Sequence, residues 1–253
     1  MITSPNNNCG FTLIEMAMVL LIMGLALGGG ISLLGNQIDA QKNKDTQKVL
    51  DDAKEALTGF AIANGRLPCP APATAVTGTA LAGLEPSPIL AAGCANLAGV
   101  LPWATLGVNE TDAWGNRLTY RVTQEFTRNG LQVAFASCAV PPAPAPAKAV
   151  FALCSQGNMT VLSTGGGATL ASTVPAVVVS HGKNGNGAYQ TQGQQLPVGA
   201  DADELDNQLI APGTTTTNTT FISKTPTATF DDAVIWVSPY VLYNRMVQSG
   251  TLP

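Results

Sequence analysis

Residues 11–34, "FTLIEMAMVLLIMGLALGGGISLL", contain a single charged side chain, Glu15. As an α-helix rising 1.5 Å per residue, this run is about 36 Å long, enough for a hydrocarbon core of about 30 Å. A charge at the bilayer centre costs about 2.5–3.5 kcal/mol on insertion scales and less near an end, so Glu15 needs a partner. A secretory signal peptide would need a basic start and a small-x-small cleavage site after a shorter apolar core. "MITSPNNNCG" has no Lys or Arg, and no such site follows the run. A plain anchor accounts for the length and leaves Glu15 unexplained.

The helical pattern continues beyond the apolar run. From Gln37 to Asn64 there is no proline, and Ile38, Val49, Ala53, Ala56, Leu57, Phe60 and Ala61 recur at helical spacing. Lys42, Lys44, Asp45, Lys48, Asp51, Asp52, Lys54 and Glu55 occupy the other face. Lys48 with Asp52 and Asp51 with Lys54 form opposite-charge pairs at i,i+4 and i,i+3, a solvated face and not a binding site. Asn64-Gly65 followed by Pro68 ends the helix.

A Pro-, Ala- and Gly-rich loop comes next. Strands are predicted at Arg117–Thr123, Leu131–Ala136, Lys148–Leu153, Met159–Ser163, Ala176–Ser180 and Ala233–Ser238. "VPPAPAPA" at 140–147 reads as a stiff connector. Residues 181–230 are poor in apolar side chains and read as a long surface excursion. The expected class is α+β, a long N-terminal helix whose C-terminal half packs on an antiparallel sheet.

Charged residues are 11% of the chain, against roughly 25% in typical soluble domains, and the net charge is −4. The basic residues are scattered, which argues against a nucleic-acid groove. Of five cysteines, Cys9 lies upstream of the apolar run. Cys69, Cys94, Cys138 and Cys154 remain, an even set that outside the cytoplasm reads as two disulfides. Four cysteines allow three pairings; the sequential pairs Cys69–Cys94 and Cys138–Cys154 are favoured, each closing a loop worth about 3 kcal/mol in the chain-entropy account.

"GFTLIE", Gly10 to Glu15, followed by the apolar run, resembles the prepilin signature of type IV pilins and type II secretion pseudopilins. The resemblance implies removal of a leader, residues 1–10, by a prepilin peptidase after Gly10. It also implies N-methylation of Phe11 and pairing of Glu15 with the amino terminus of a neighbouring subunit. Residues 11–35 would then be the transmembrane and filament-core helix, 36–64 its amphipathic continuation, and 65–253 a β-rich periplasmic or extracellular head. The implied partners are other pilin-like subunits, forming a homo-oligomeric filament, together with the peptidase, an inner-membrane assembly platform and the inner membrane itself. The subunit would be single-pass in the inner membrane first and part of a periplasmic or extracellular filament afterwards. The leader departs from the family in lacking basic residues, which normally set topology. The family's helix proline is also missing. In its region stand Gly24, Gly28, Gly29 and Gly30, each costing about 1 kcal/mol relative to alanine in a helix. Two readings follow: a stretch that unwinds on assembly, or a surface that lets neighbouring helices approach closely.

Two further segments bear on the head. "DAWGNRLTY", Asp112 to Tyr120, resembles a segment of major pseudopilins, with Ala113 where the family has proline. Gly115-Asn116 reads as a turn, and Trp114 as its apolar seat. "VVVSHGKNGNGA" at 177–188, with "DADELDN" at 201–207, is similar to their calcium-binding loop. The resemblance implies Ca2+ at Asp201, Asp203, Glu204 and Asp206, hard oxygen ligands of the kind calcium takes. The spacing is not that of an EF-hand, and the acids are equally suited to capping a short helix. Asp231 and Asp232 are expected to hydrogen-bond backbone where the last strand begins.

Enzymatic chemistry is not expected. The only histidine, His181, directly follows Ser180, and adjacent strand residues point to opposite faces. "GKNG" lacks the frame of a phosphate loop. The reading is therefore a structural filament subunit. The alternatives are a minor, tip-located subunit acting as an adhesin or substrate-binding module and, less consistent with the residues, a membrane-anchored extracytoplasmic enzyme.

Overall fold

The computed structural model describes Gly10, residues 12–129, Cys138, residues 148–209 and residues 217–252, with the side chains of residues 26–34 outside the description. In chain order the elements are α1 (Leu13–Asn64), β1 (Ala98–Val100), α2 (Trp103–Leu106), β2 (Thr119–Val122), β3 (Met159–Leu162), β4 (Thr169–Val174), β5 (Ala176–Ser180), α3 (Ala202–Leu205), β6 (Thr220–Ile222), β7 (Ala233–Val237) and α4 (Pro239–Gln248). This is an α+β fold, an N-terminal helix followed by an antiparallel sheet, consistent with the pilin-like expectation.

The chain divides into two compact units, residues 1–43 and 44–253. In the first, α1 begins at Leu13 and its described apolar side chains, Leu13 to Leu25, are exposed. The helix is continuous through Gly24 and Gly28–Gly30, and a Cβ at Gly24 would meet nothing within 4 Å. Among the described residues, no helix is long and apolar enough to cross a membrane. The span expected at 11–35 includes Phe11 and residues 26–34, whose side chains lie outside the description.

In the second unit, β1, β2, β5 and β7 form a four-stranded antiparallel sheet in the order β1-β2-β5-β7. Period-2 alternation divides its side chains between two layers. Tyr120, Val122, Val178, Ile235 and Val237 face a core shared with Leu50, Ala53, Leu57 and Ala61 of α1 and with Leu242 and Met246 of α4. Val177, Val179 and Val234 face a second core with Met159, Val161 and Phe221. The latter residues come from a three-stranded sheet ordered β4-β3-β6, in which β3 and β6 run parallel. All five residues of β5 are buried, as expected for a strand covered on both faces. Thr46, Leu50, Ala53, Leu57 and Ala61 recur at spacings of three and four along α1 and are buried. Each large aliphatic side chain among them contributes about 1.5–3 kcal/mol through burial.

α1 ends at Asn64 because Gly65 adopts φ 69°, and a Cβ there would stand 1.9 Å from the Lys148 carbonyl oxygen. The disulfides are Cys69–Cys94 and Cys138–Cys154. Arg117 ties the long loop to the sheet. Fully buried, it donates to the carbonyls of Ala73 (3.0 Å), Ala75 (2.7 Å) and Thr191 (3.1 Å) and to Glu110 (2.8 and 2.9 Å). Its guanidinium also stacks over Trp103 at 4.7 Å.

Some expectations need correction. Residues 148–153 form bends and loop and not a strand; there the Val150 N–H donates to the Gly65 carbonyl. The described part of residues 181–230, that is 181–209 and 217–230, is not a surface excursion. Ala188, Glu204, Asn207, Phe221 and Ile222 in that stretch are buried, and they carry α3 and β6. The strand expected at Leu131–Ala136 and the connector at 140–147 lie outside the described residues.

Candidate functional site

Two places gather the residues singled out from the sequence. The first is the start of α1. The Thr12 N–H and its hydroxyl both donate to Glu15 Oε2, at 2.8 and 2.9 Å, and the Glu15 N–H donates back to Thr12 Oγ1 at 3.3 Å. This is a capping box, satisfying two backbone donors that a helix start otherwise leaves open. Glu15 therefore has a partner within its own chain. The Thr-x-x-Glu spacing ahead of an apolar run was the available sequence signal for it. Gly10 lies just outside the helix, exposed, with nothing within 4 Å of its Cβ position. Phe11 lies outside the described residues.

The second place is the end of β5. The four acids grouped by sequence proximity are sent in different directions by α3. Asp201 caps the helix, with Oδ1 accepting from the Asp203 and Glu204 N–H groups at 3.0 and 3.4 Å. The Thr229 hydroxyl on its Oδ2 (2.7 Å) holds its carboxyl below the ordinary range. Asp203 pairs with Lys224 and accepts from Thr164 Oγ1 (2.9 Å) and the Gly165 N–H (2.8 Å); the Lys224 bond depresses its carboxyl. Partial burial pushes Asp206 up, and the Asp203 charge adds to the shift.

Glu204 alone turns inward and is 1% exposed. Its two oxygens accept from Asn184 Nδ2 (2.7 Å) and Asn186 Nδ2 (2.8 Å). It meets Asp231 and Asp232, and one carboxylate oxygen from each of the three lies within 4.8 Å of the others. Asp231 Oδ2 accepts from the Asn184 N–H (2.9 Å), and Asp232 Oδ2 from Asn207 Nδ2 (2.9 Å). The remaining oxygens, Oδ1 of Asp231 and Oδ1 of Asp232, are buried with no hydrogen-bond partner. Burial pushes the Asp231 carboxyl up, and the Glu204 and Asp232 charges add to the shift. Fully buried His181 points Nδ1 at Asp232 Oδ1 across 3.5 Å, also without a hydrogen bond, while its Nε2 lies 3.2 Å from Thr119 Oγ1. Proximity in sequence could not reveal this set, because Glu204 stands 27 residues before Asp231.

The DAWGN turn abuts the end of β5 and the loop that follows it. Asp112 Oδ1 accepts from the Trp114 and Asn116 N–H groups at 2.9 and 3.0 Å, and Gly115 takes φ 88°. Asp112 Oδ2 accepts from the Ser180 hydroxyl at 2.6 Å. Burial pushes the Asp112 carboxyl up against the opposing pull of that bond. Ser180 thus donates its hydroxyl hydrogen bond to Asp112 and not to His181, so no serine–histidine pair forms.

A long N-terminal helix followed by an antiparallel sheet, with Gly10 and Phe11 just ahead of the helix, is consistent with a pilin-like fold. Residues 5–31 match the family model described as the prokaryotic N-terminal methylation motif, the signature of type IV pilins and pseudopilins. No curated protein and no solved structure matches the chain.

Proposed function

We propose that this chain is a structural subunit of a type IV pilus-like or type II secretion pseudopilus filament. The leader is removed after Gly10, Phe11 is methylated, and assembly proceeds from the inner membrane through the N-terminal helix, with Glu15 accepting the amine of a neighbour. The observation that carries the reading is the methylation-motif match over residues 5–31, on a helix whose apolar side chains from Leu13 to Leu25 are exposed. Isolated charges in apolar surroundings are costly singly, and pairing offsets that cost while setting axial register. Mass spectrometry of assembled material is expected to find an amino-terminal methylated Phe11; an intact Met1 there overturns the reading.

A second reading concerns the head. The set of Glu204, Asp231 and Asp232 fits a hard divalent cation, and calcium is the one proposed. Three buried carboxylates lie together, two of their oxygens lack partners, and every ligand is oxygen. A cation there would bridge α3 to the start of β7. Calorimetric titration of the full chain in detergent with calcium chloride is expected to give saturable binding that Asp232→Asn abolishes. Absence of binding by the wild-type chain ends this reading and leaves the filament reading in place.

A further inference from the structure

The loop whose asparagines hold the cation set is held from behind by the DAWGN turn. Residues 180–186 are gripped from two sides. On one side, Ser180 Oγ donates to Asp112 at 2.6 Å and Asn116 Nδ2 donates to the Gly182 carbonyl at 3.4 Å. On the other, Asn184 and Asn186 hold both oxygens of Glu204, and the Asn184 N–H holds Asp231. His181 lies between them, against Asp232. The loop is also internally closed, since the Gly185 N–H donates to the His181 carbonyl at 3.0 Å. Gly185 sits so near Asn116 that a Cβ would stand 3.0 Å from Nδ2. The turn is not a freely shifting support: Asp112, Asn116 and Ser180 are all buried, and the Ala113 N–H donates to buried Thr46 of α1 at 3.4 Å.

We propose that Asp112, with Ser180 as its contact, is a positioning residue for the cation site formed by Glu204, Asp231 and Asp232. It touches no ligand oxygen. It fixes the loop whose asparagines aim Glu204 and Asp231, and it anchors that loop to α1 through the turn. Partners of this outer kind typically set metal affinity by factors of about 10–100. The proposal rests on the cation reading above.

The test uses the full chain in detergent and calcium chloride, with two measurements per variant: calcium affinity of the folded protein, and thermal unfolding in excess chelator. Ser180→Ala removes the bond to Asp112 and the longer one from the Gly182 N–H (3.4 Å), and leaves the turn's own bonds in place. Asp112→Asn keeps the shape and removes the charge. Leu57→Ala, in the core away from the site, is the control for general destabilisation. Expected are a roughly tenfold weaker calcium affinity in Ser180→Ala and Asp112→Asn and an unchanged affinity in Leu57→Ala, although the latter unfolds at lower temperature. A merely structural role for Asp112 would shift unfolding in chelator and leave affinity unmoved. Wild-type affinity in both site variants overturns the proposal and spares the cation reading. No binding by the wild-type chain overturns both. The filament reading is decided separately, by the mass of the amino-terminal residue.

Discussion

His181 Nδ1 and Asp232 Oδ1 face each other at 3.5 Å, both fully buried and neither hydrogen-bonded. Unsatisfied buried polar atoms carry a desolvation cost of about 1–3 kcal/mol each, which the calcium proposed at Glu204, Asp231 and Asp232 would offset at Asp232. With calcium at about a hundred times its dissociation constant, the folded chain is expected to gain about 2.7 kcal/mol, lost on adding chelator. Asp232→Asn keeps an acceptor for Asn207 and should show no calcium-dependent gain. Paired melts with calcium and with chelator measure this directly.

Glu15 caps its own helix, and the proposed filament gives it a second, separable task, meeting a neighbour's amine. Glutamine retains the capping geometry and loses the charge; alanine loses both. Glu15→Gln and Glu15→Ala are both expected to be processed after Gly10 and to assemble poorly. The Thr12 and Glu15 amides should stay ordered only in the glutamine form, a difference of about 1 kcal/mol in the first turn. NMR of the detergent-bound chain reads the cap, and sheared filament yield reads assembly. Normal filaments from Glu15→Ala would remove the register role.

Arg117 holds the loop that follows α1 through the carbonyls of Ala73 and Ala75, and also binds the Thr191 carbonyl and Glu110. Arg117→Met leaves Glu110 without its cation and the carbonyls without a donor. A loss of about 3–5 kcal/mol is expected in denaturant unfolding, the range for breaking one side of a buried pair. Lysine keeps the charge but cannot reproduce the planar fork, so Arg117→Lys should recover only part of it.

The Asp203–Lys224 pair predicts an acid effect. The Asp203 carboxyl lies below its ordinary value of 3.8, chiefly through Lys224. A depressed folded value means that stability is present above 3.8 and is lost as pH falls through the folded value. Asp203→Asn should therefore be slightly less stable at neutral pH, by less than about 1 kcal/mol because the pair is partly exposed. Its stability should also fall less steeply below about pH 4. Urea midpoints at pH 7 and in the acid range would show the convergence; parallel curves would deny the pair any pH-linked role.

What could be read from the chain divides by range. Local pattern carries α1, its end at Gly65, and β2, β3, β5 and β7. Helical spacing of Leu57 and Ala61, a positive-φ glycine and β-branched runs act within a few residues. β1 and β6 were missed because three residues are too few for a period to show. α4 was missed although Ser238-Pro239 is a readable start for a helix. The surface expected at 181–230 failed because several of its buried members are polar. Glu204 and Asn207 enter the interior by finding hydrogen-bond partners, which hydropathy does not register.

The sequence by itself determined the N-terminal element: six residues, Gly10 to Glu15, and the apolar run after them suffice for the methylation motif. Only the tertiary structure decided which acids stand together. On α3 successive side chains diverge by about 100°, so neighbours in "DADELD" separate into a cap, an ion pair and one inward carboxylate. The strand pairing of β5 with β7 then brings Asp231 and Asp232 to that carboxylate. Charges close in sequence were parted by helical geometry, and charges distant in sequence were joined by a sheet.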